Sequence, residues 1–435
     1  LNSVKDTLLN RIHSVYFFLF ILFPVLSFLA FNRHHKDDYK SYHSVIFADA
    51  AGYYVYLPYW FIYGNNIESY PDSIVQHTGD GFRLDKSSQI IYTKYTCGVA
   101  MLQMPFFIAA HLLAKPLGFS PNGFSKPYHW AIFIAASFYC ALGLFFLNKL
   151  LRKYFSSWVS VATSLSLLLC TNLYYYTVTS GGMAHAYSFF LISVLFYAAD
   201  VFYQNPNIIT LVLLAAVSEL ALLTRPLNFP ILLLVFFYKI NSWRQLLVRI
   251  RFWITSWRYI IAFAVLGFVI MLPQMLYWHK ISGQWIFDSY QNESFIYWNQ
   301  PKLAKLWFST NNGLFTYSPF LLLGVIGVST MYRLEAENRV LFPTIFFITS
   351  YVFASWHSWY FGCAYGARAF VDYLPLFAFP IAYSLQGAQN SFRKYIIAAF
   401  IIICLSINFD IIYYYSSCFT YGDWNWKSYL DLFKD

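Results

Sequence analysis

"KYTCGVAMLQMPFFIAAHLLAKPLGF", residues 94–119, is apolar enough to cross a membrane, and the topology of the whole chain turns on whether it does. Counting it as a span would carry the basic turn "NKLLRKYFSS" (148–157) to the outer side, against the tendency of Lys and Arg to stay cytoplasmic. At 100° per residue, Thr96, Gln103, His111 and Lys115 fall within about a third of a turn of one another. Pro105 interrupts the middle. These features predict an amphipathic helix lying in the interface rather than a span.

Outward from that segment the composition sets the class. Of 435 residues, 59% are hydrophobic and 11% charged, against roughly a quarter charged in soluble domains. The chain reads as an all-α polytopic membrane protein. Its net charge of +10 then belongs to orienting loops and lipid-phosphate contacts, and nucleic acid is excluded as a partner. The six cysteines (97, 140, 170, 363, 404, 418) show no CxxC spacing and predict neither a metal site nor a disulfide framework.

Candidate spans fall near 14–31, 129–148, 158–176, 185–203, 208–224, 227–240, 259–278, 317–332, 340–356, 372–386 and 395–415, about eleven helices of bilayer length. The first, flanked by Lys5 and Arg11, reads as a retained transmembrane helix because no small-residue cleavage site follows it. With 94–119 kept out of the count, Lys149, Arg152, Lys153, then Lys239, Arg244, Arg249, Arg251, Arg258, then Arg333, Arg339, and finally Arg393, Lys394 all fall on one side. That side is cytoplasmic, with the amino terminus, and 32–128 forms a long first outer loop. The reading is a single transmembrane domain over 1–435 without a soluble C-terminal domain.

Chemistry is therefore expected from outer loops and helix ends. "FADAAGYYVYLPYW" (47–60) places one carboxylate, Asp49, ahead of an aromatic run, with Tyr53 and Tyr56 at i+4 and i+7 on its face if 49–57 is helical. A charge favouring the helix dipole is the plain alternative. "SWHSWYFGCAYGARAFVDYLP" (355–375) supplies His357, Arg368 and Asp372 among aromatics that include Trp359 and Tyr365, although an interfacial aromatic belt has the same composition. Arg225 follows a span in "LALLTRPLNFP" (220–230), where snorkelling accounts for it equally well. His185 stands in "GGMAHAYSFF" (181–190) and also suits a helix end. Glu219 sits inside a span, where pairing with a neighbouring helix is the first expectation.

The order of parts resembles the GT-C integral-membrane glycosyltransferases, the class of protein O-mannosyltransferases and the lipid A aminoarabinose transferase. An early outer acid (Asp49), two membrane-parallel helices (49–62 and 94–117) in the first loop, and a basic-aromatic inside turn ("LNKLLRKYFS") carry the resemblance. His185 stands where many relatives have a second acid, and the missing soluble C-terminal domain departs from several branches. The resemblance implies a bacterial inner-membrane enzyme that moves a sugar from a polyprenyl-phosphate donor to a glycan, lipid or protein acceptor at the outer face, with inversion. On that reading Asp49 is the base. Arg368 and Arg225 clamp the donor phosphate, and Tyr53, Tyr56, His185, His357, Trp359 and Tyr365 line the substrate.

Asp80 and Asp85 in "HTGDGFRLDKSS" (77–88) offer, with Asp49, oxygen ligands suited to a divalent cation, though the spacing demands none. A lipid-linked acyl or phospho-group transferase using His185 or His357, and a transporter, stay open as other readings. The orientation has a direct check. Ser242→Cys is expected to react with an impermeant maleimide only from the cytoplasmic side, and labelling from the outer side alone would reverse every placement above.

Overall fold

The structure is a computed structural model that describes residues 16–36, 39, 44–64, 66–71, 73–291, 293–388, 391–415 and 424–434. Lys5, Arg11 and Cys418 lie outside the described residues. The chain is nearly all α-helical. Its principal helices are α1 (Tyr16–His34), α2 (Asp49–Tyr54), α3 (Gly98–Ala114), α4 (Lys126–Leu151), α5 (Ser157–Leu169), α6 (His185–Gln204), α7 (Ile208–Thr224), α8 (Pro226–Phe237), α9 (Trp243–Thr255), α10 (Trp257–Ser282), α11 (Pro319–Arg333), α12 (Leu341–Ser355), α13 (Leu374–Gln386) and α14 (Phe392–Tyr414). One antiparallel ribbon, β1 (Arg83–Asp85) with β2 (Ile90–Tyr92), pairs Leu84 with Ile91.

Local sequence explains the helix ends. Ser156 accepts from the Val159 amide to open α5, and Asn207 with Thr210 forms a reciprocal capping box at α7. Gly283, in the left-handed region at φ 75°, stops α10. The expected span 158–176 is broken: α5 ends at Leu169, and a separate helix covers Leu173–Val178. There the Thr171 hydroxyl turns back onto the Leu167 carbonyl, and Asn172 reaches the Tyr365 carbonyl. The helix expected over 49–57 runs on through Val55, which keeps helical φ −57° and ψ −22° and donates its amide to the Ala51 carbonyl at 2.9 Å.

Among the described residues five helices, α1, α4, α6, α10 and α14, are long and apolar enough to cross a membrane. Shorter apolar helices, α3, α5, α7, α8, α11, α12 and α13, fill the rest of the bundle. Helix α4 lies at the centre against α1, α3, α5 and α6. Helix α10 is at the rim, with Val265 at 55% and Val269 at 57% exposure. Apolar side chains so exposed along a whole helix suit hydrocarbon as solvent, and the architecture is compatible with an integral membrane protein.

The polar stripe of α3 is divided between the protein interior and the surface. Thr96 and Gln103 are buried, with Gln103 donating to the Tyr187 hydroxyl at 3.0 Å, and His111 lies 2.6 Å from the Tyr128 hydroxyl. Leu112 and Leu113 are exposed, at 69% and 54%, and Lys115 is exposed beside them. Thr96 and Gln103 thus face the protein, while Lys115 at the far end of the stripe faces outward. Periodicity locates a stripe and does not say what it faces.

Two polar clusters mark the ends of α6. His185 opens the helix, and Asp200, near its end, receives Lys153 and Lys239 at 2.5 and 3.0 Å. At 1.5 Å per residue the two lie about 22 Å apart along the axis. Glu219 on α7 sits against Gly267 of α10. Cys363 is disulfide-bonded, which corrects the reading of the cysteines, while Cys97, Cys140, Cys170 and Cys404 are free and buried.

A close backbone approach lies at the start of α3, where a Cβ on Gly98 would lie 2.4 Å from the Leu223 carbonyl carbon and the Thr224 nitrogen. Neither backbone atom can move alone. Gly98→Val is expected to force α3 off α7 and to cost on the order of 1–3 kcal/mol, read as a lowered unfolding temperature of the detergent-solubilised protein; an unchanged transition would show that the contact is not built as described.

Candidate active site

Three loops meet at the α6 amino-terminal end of the bundle. The first contributes Asp49, Lys94 and Tyr95, the second spans 283–313, and the third is 356–373. Ser289 donates to the Lys94 carbonyl at 2.6 Å, and Tyr92 donates to the Ser289 carbonyl at 2.7 Å. Lys94 pairs with Glu293, and the His357 amide donates to the Ser294 carbonyl at 3.0 Å. Each loop is thus tied to the next by hydrogen bonds that need no regular secondary structure.

Asp49 is the first residue of α2. Ala48 before it has φ 48°, an uncommon conformation for a residue with a Cβ. Its amide donates to the Thr78 carbonyl at 2.7 Å, and its carbonyl packs so closely on Gly81 that a Cβ there would lie 1.9 Å from the oxygen. That turn aims the carboxylate at the third loop. Arg368 Nη2 lies 3.1 Å from Oδ2, and the Tyr95 hydroxyl donates to Oδ1. The Asp49 side chain keeps 31% of its exposure and Arg368 20%, so the pair faces an opening rather than the core. Burial alone would raise the Asp49 pKa, but Arg368, the Tyr95 hydrogen bond and nearby Lys94 together hold it below the ordinary carboxylate value.

Behind this pair lies a second one, fully enclosed. Asp372 accepts from Arg225 Nη1 at 2.7 Å through Oδ2, and its Oδ1 is 2.8 Å from His185 Nδ1. Asp372 is completely buried, and burial drives its pKa up; Arg225 beside it and the His185 hydrogen bond outweigh that and keep it below the usual range. A carboxylate so held only accepts, so His185 Nδ1 carries the proton. His185 is itself held edge-on against the Tyr176 ring at 4.6 Å.

The structure therefore brings together Asp49 with Arg368, and Arg225 with His185, but separates other expected members. Tyr53 packs tilted against Tyr95 with ring centroids 4.5 Å apart and is 5% exposed, and it is Tyr95, 46 residues later in the chain, that bonds Asp49. Tyr56 is buried and donates to the Tyr95 carbonyl at 2.7 Å, supporting the wall from behind. Tyr365 is fully buried and donates to Asn408 Oδ1 at 2.8 Å. His357 packs at a tilt beside Trp356 with Nδ1 buried and unpartnered. Trp359 lines a shallow pocket with Lys305, Phe308 and Asn311, away from Asp49's partners.

Among the described residues no three His, Cys, Asp or Glu side chains converge to hold a metal ion, so Asp49, Asp80 and Asp85 are not gathered. Asp85 instead binds Ser87 and Ser88, whose hydrogen bonds pull its pKa down to about 2.

Tyr95, Lys94 and Glu293 were missed at the sequence level. Nothing in "KYTCG" distinguishes a tyrosine that reaches an acid so far back in the chain.

Compared with protein-family models and with curated proteins, the chain matches none.

The buried pair sets a stability test. Asp372→Ala leaves Arg225 charged and enclosed without its partner, and a loss of about 3–5 kcal/mol is expected, seen as a collapse of folded yield. Pairing with Arg225→Met should recover much of it, and no recovery in the double variant would show that the two do not compensate each other.

Proposed function

We propose that this chain is a GT-C-type glycosyltransferase that moves a sugar from a polyprenyl-phosphate donor to an acceptor hydroxyl at the outer face of the membrane. The observation that carries the reading is the half-open pair of Asp49 and Arg368, a carboxylate and a guanidinium side by side at the meeting point of three loops. Such a pair supplies the two charges the reaction needs, a base for the incoming hydroxyl and a cation for the departing phosphate. A disulfide at Cys363, five residues before Arg368, supports an oxidising, outer location for the same loop. The eleven-span topology with an inside amino terminus belongs to this reading too.

In the resting state Arg368 neutralises Asp49 and keeps it a weak base. A donor phosphate competes for the same guanidinium, with the geometry suited to bidentate contact. As Arg368 turns toward phosphate, Asp49 loses its main stabilising charge while its burial persists, so its proton affinity rises when the acceptor arrives. Lys94 lies near enough to Asp49 to share the phosphate charge. Arg225, already paired with Asp372, serves by fixing the loop from which Arg368 projects, so the phosphate clamp is Arg368 first. The attack then runs in line through an oxocarbenium-like state, with the proton passing to Asp49 and the polyprenyl phosphate leaving.

One experiment tests this. With purified protein and polyprenyl-phosphate sugars, Asp49→Asn should lower turnover by roughly 10²–10⁴ while donor binding persists. In the same assay Arg368→Gln should weaken donor binding. It should also move the acid limb of the kcat/KM profile to higher pH, because the charge that lowers the Asp49 pKa is gone and burial still raises it. Native turnover in Asp49→Asn would remove the base from the mechanism.

A further inference from the structure

At the opposite end of α6 from Asp49, helix α9 lies across the bundle with an unusual surface. Its sequence, "WRQLLVRIRFWIT", holds three arginines and no acid. Arg249 fastens it down: its guanidinium sits 3.4 Å from the Tyr203 ring centroid and donates to the Tyr238 carbonyl at 3.0 Å. Trp253 stacks on Phe202 beneath. The outward side leaves Trp243 at 71%, Val248 at 65% and Ile254 at 67% exposure beside the exposed Arg244 and Arg251. A helix pinned so that indole, aliphatic and guanidinium groups all face out belongs at a lipid headgroup boundary.

Two cavities meet under its first turn. One, about 360 Å³, is lined by apolar groups, chiefly Leu233, Phe237, Leu246, Leu341 and Ile348. The other, about 280 Å³, is lined by Lys239, Arg244, Gln245 and Arg249. Ile240 borders both. Lys239 is committed to Asp200 and Glu337, and Arg249 to the carbonyls and Tyr203. Arg244 makes no ion pair or side-chain hydrogen bond among the described residues.

We infer that this groove binds one anionic glycerophospholipid, its acyl chain in the apolar cavity and its phosphate on Arg244, with Arg251 adding to the attraction. Charge complementarity decides the occupant: an acid-free basic helix beside an apolar slot selects a negatively charged headgroup over a zwitterionic one. The position decides the source. The groove lies beyond Asp200, about 22 Å along α6 from His185, so a lipid held there is not the one presented to Asp49. It is a bound lipid that anchors the α8–α9 corner.

The test uses the full chain, delipidated in detergent, with phosphatidylglycerol or phosphatidylcholine of the same acyl chains added back and bound lipid counted by native mass spectrometry. Phosphatidylglycerol should be retained preferentially. Arg244→Gln should weaken it about fivefold, the equivalent of about 1 kcal/mol for one basic residue at an anionic surface, with the lipid-free unfolding temperature unchanged. Thr344→Trp, which fills the groove without touching charge, should lower retention of phosphatidylglycerol as well. Equal retention of the two lipids, undiminished phosphatidylglycerol binding in both variants, or its displacement by equimolar polyprenyl phosphate would overturn the inference.

Discussion

The contact on which the rest of the site depends is the buried carboxylate of Asp372 between Arg225 and His185. Removing a carboxylate and a guanidinium from water is costly, and the cost is offset only while both partners hold their places. The three residues come from the start of α6, the end of α7 and the loop before α13, so the clamp fixes the order in which those segments meet. Arg368 lies four residues before Asp372 and inherits its position from it. The open pair with Asp49 is in this sense built on the closed one.

The two acid–base pairs differ in exposure, and that difference separates their roles. Asp372 has no exposure and no room for a ligand, which suits a structural clamp. Asp49 retains access, and its low pKa results from a cation that a substrate is able to take away. Charges that touch solvent and share a partner are available for chemistry, whereas those saturated in the core are not. Aromatic packing helps to hold the bundle around them: Tyr53 on Tyr95 and Tyr175 on Tyr365 join segments distant in the chain.

Charge is also segregated between the two ends of the bundle. Asp200, Lys153, Lys239 and Glu337 tie three turns together at one end, and the arginines of α9 cluster beside them. Asp49, Lys94, Arg368 and Asp372 occupy the other. Between the two, α4 and α6 are almost wholly apolar and buried. A chain with so few charges can keep its ionic groups satisfied only by gathering them where backbone turns and polar boundaries already exist.

By itself the sequence determined the helical class, the positions of nearly all the apolar helices, and the candidacy of Asp49, Arg225, His185 and Arg368. Those follow from composition, run length and the scarcity of charge, which are properties of local windows. Tertiary structure alone decided which of them meet. Arg225 was legible as a basic residue at a span end, but its partner stands 147 positions away, and only packing shows that its charge is already taken. Tyr95 replaced Tyr53 and Tyr56 as the partner of Asp49 because the Tyr56 hydroxyl is taken by the Tyr95 carbonyl and Tyr53 packs against the Tyr95 ring. The stripe on α3 was legible, but the burial of Gln103 against Tyr187 was not, since a helical period fixes relative angles between side chains and leaves what each one faces to the neighbours it packs against.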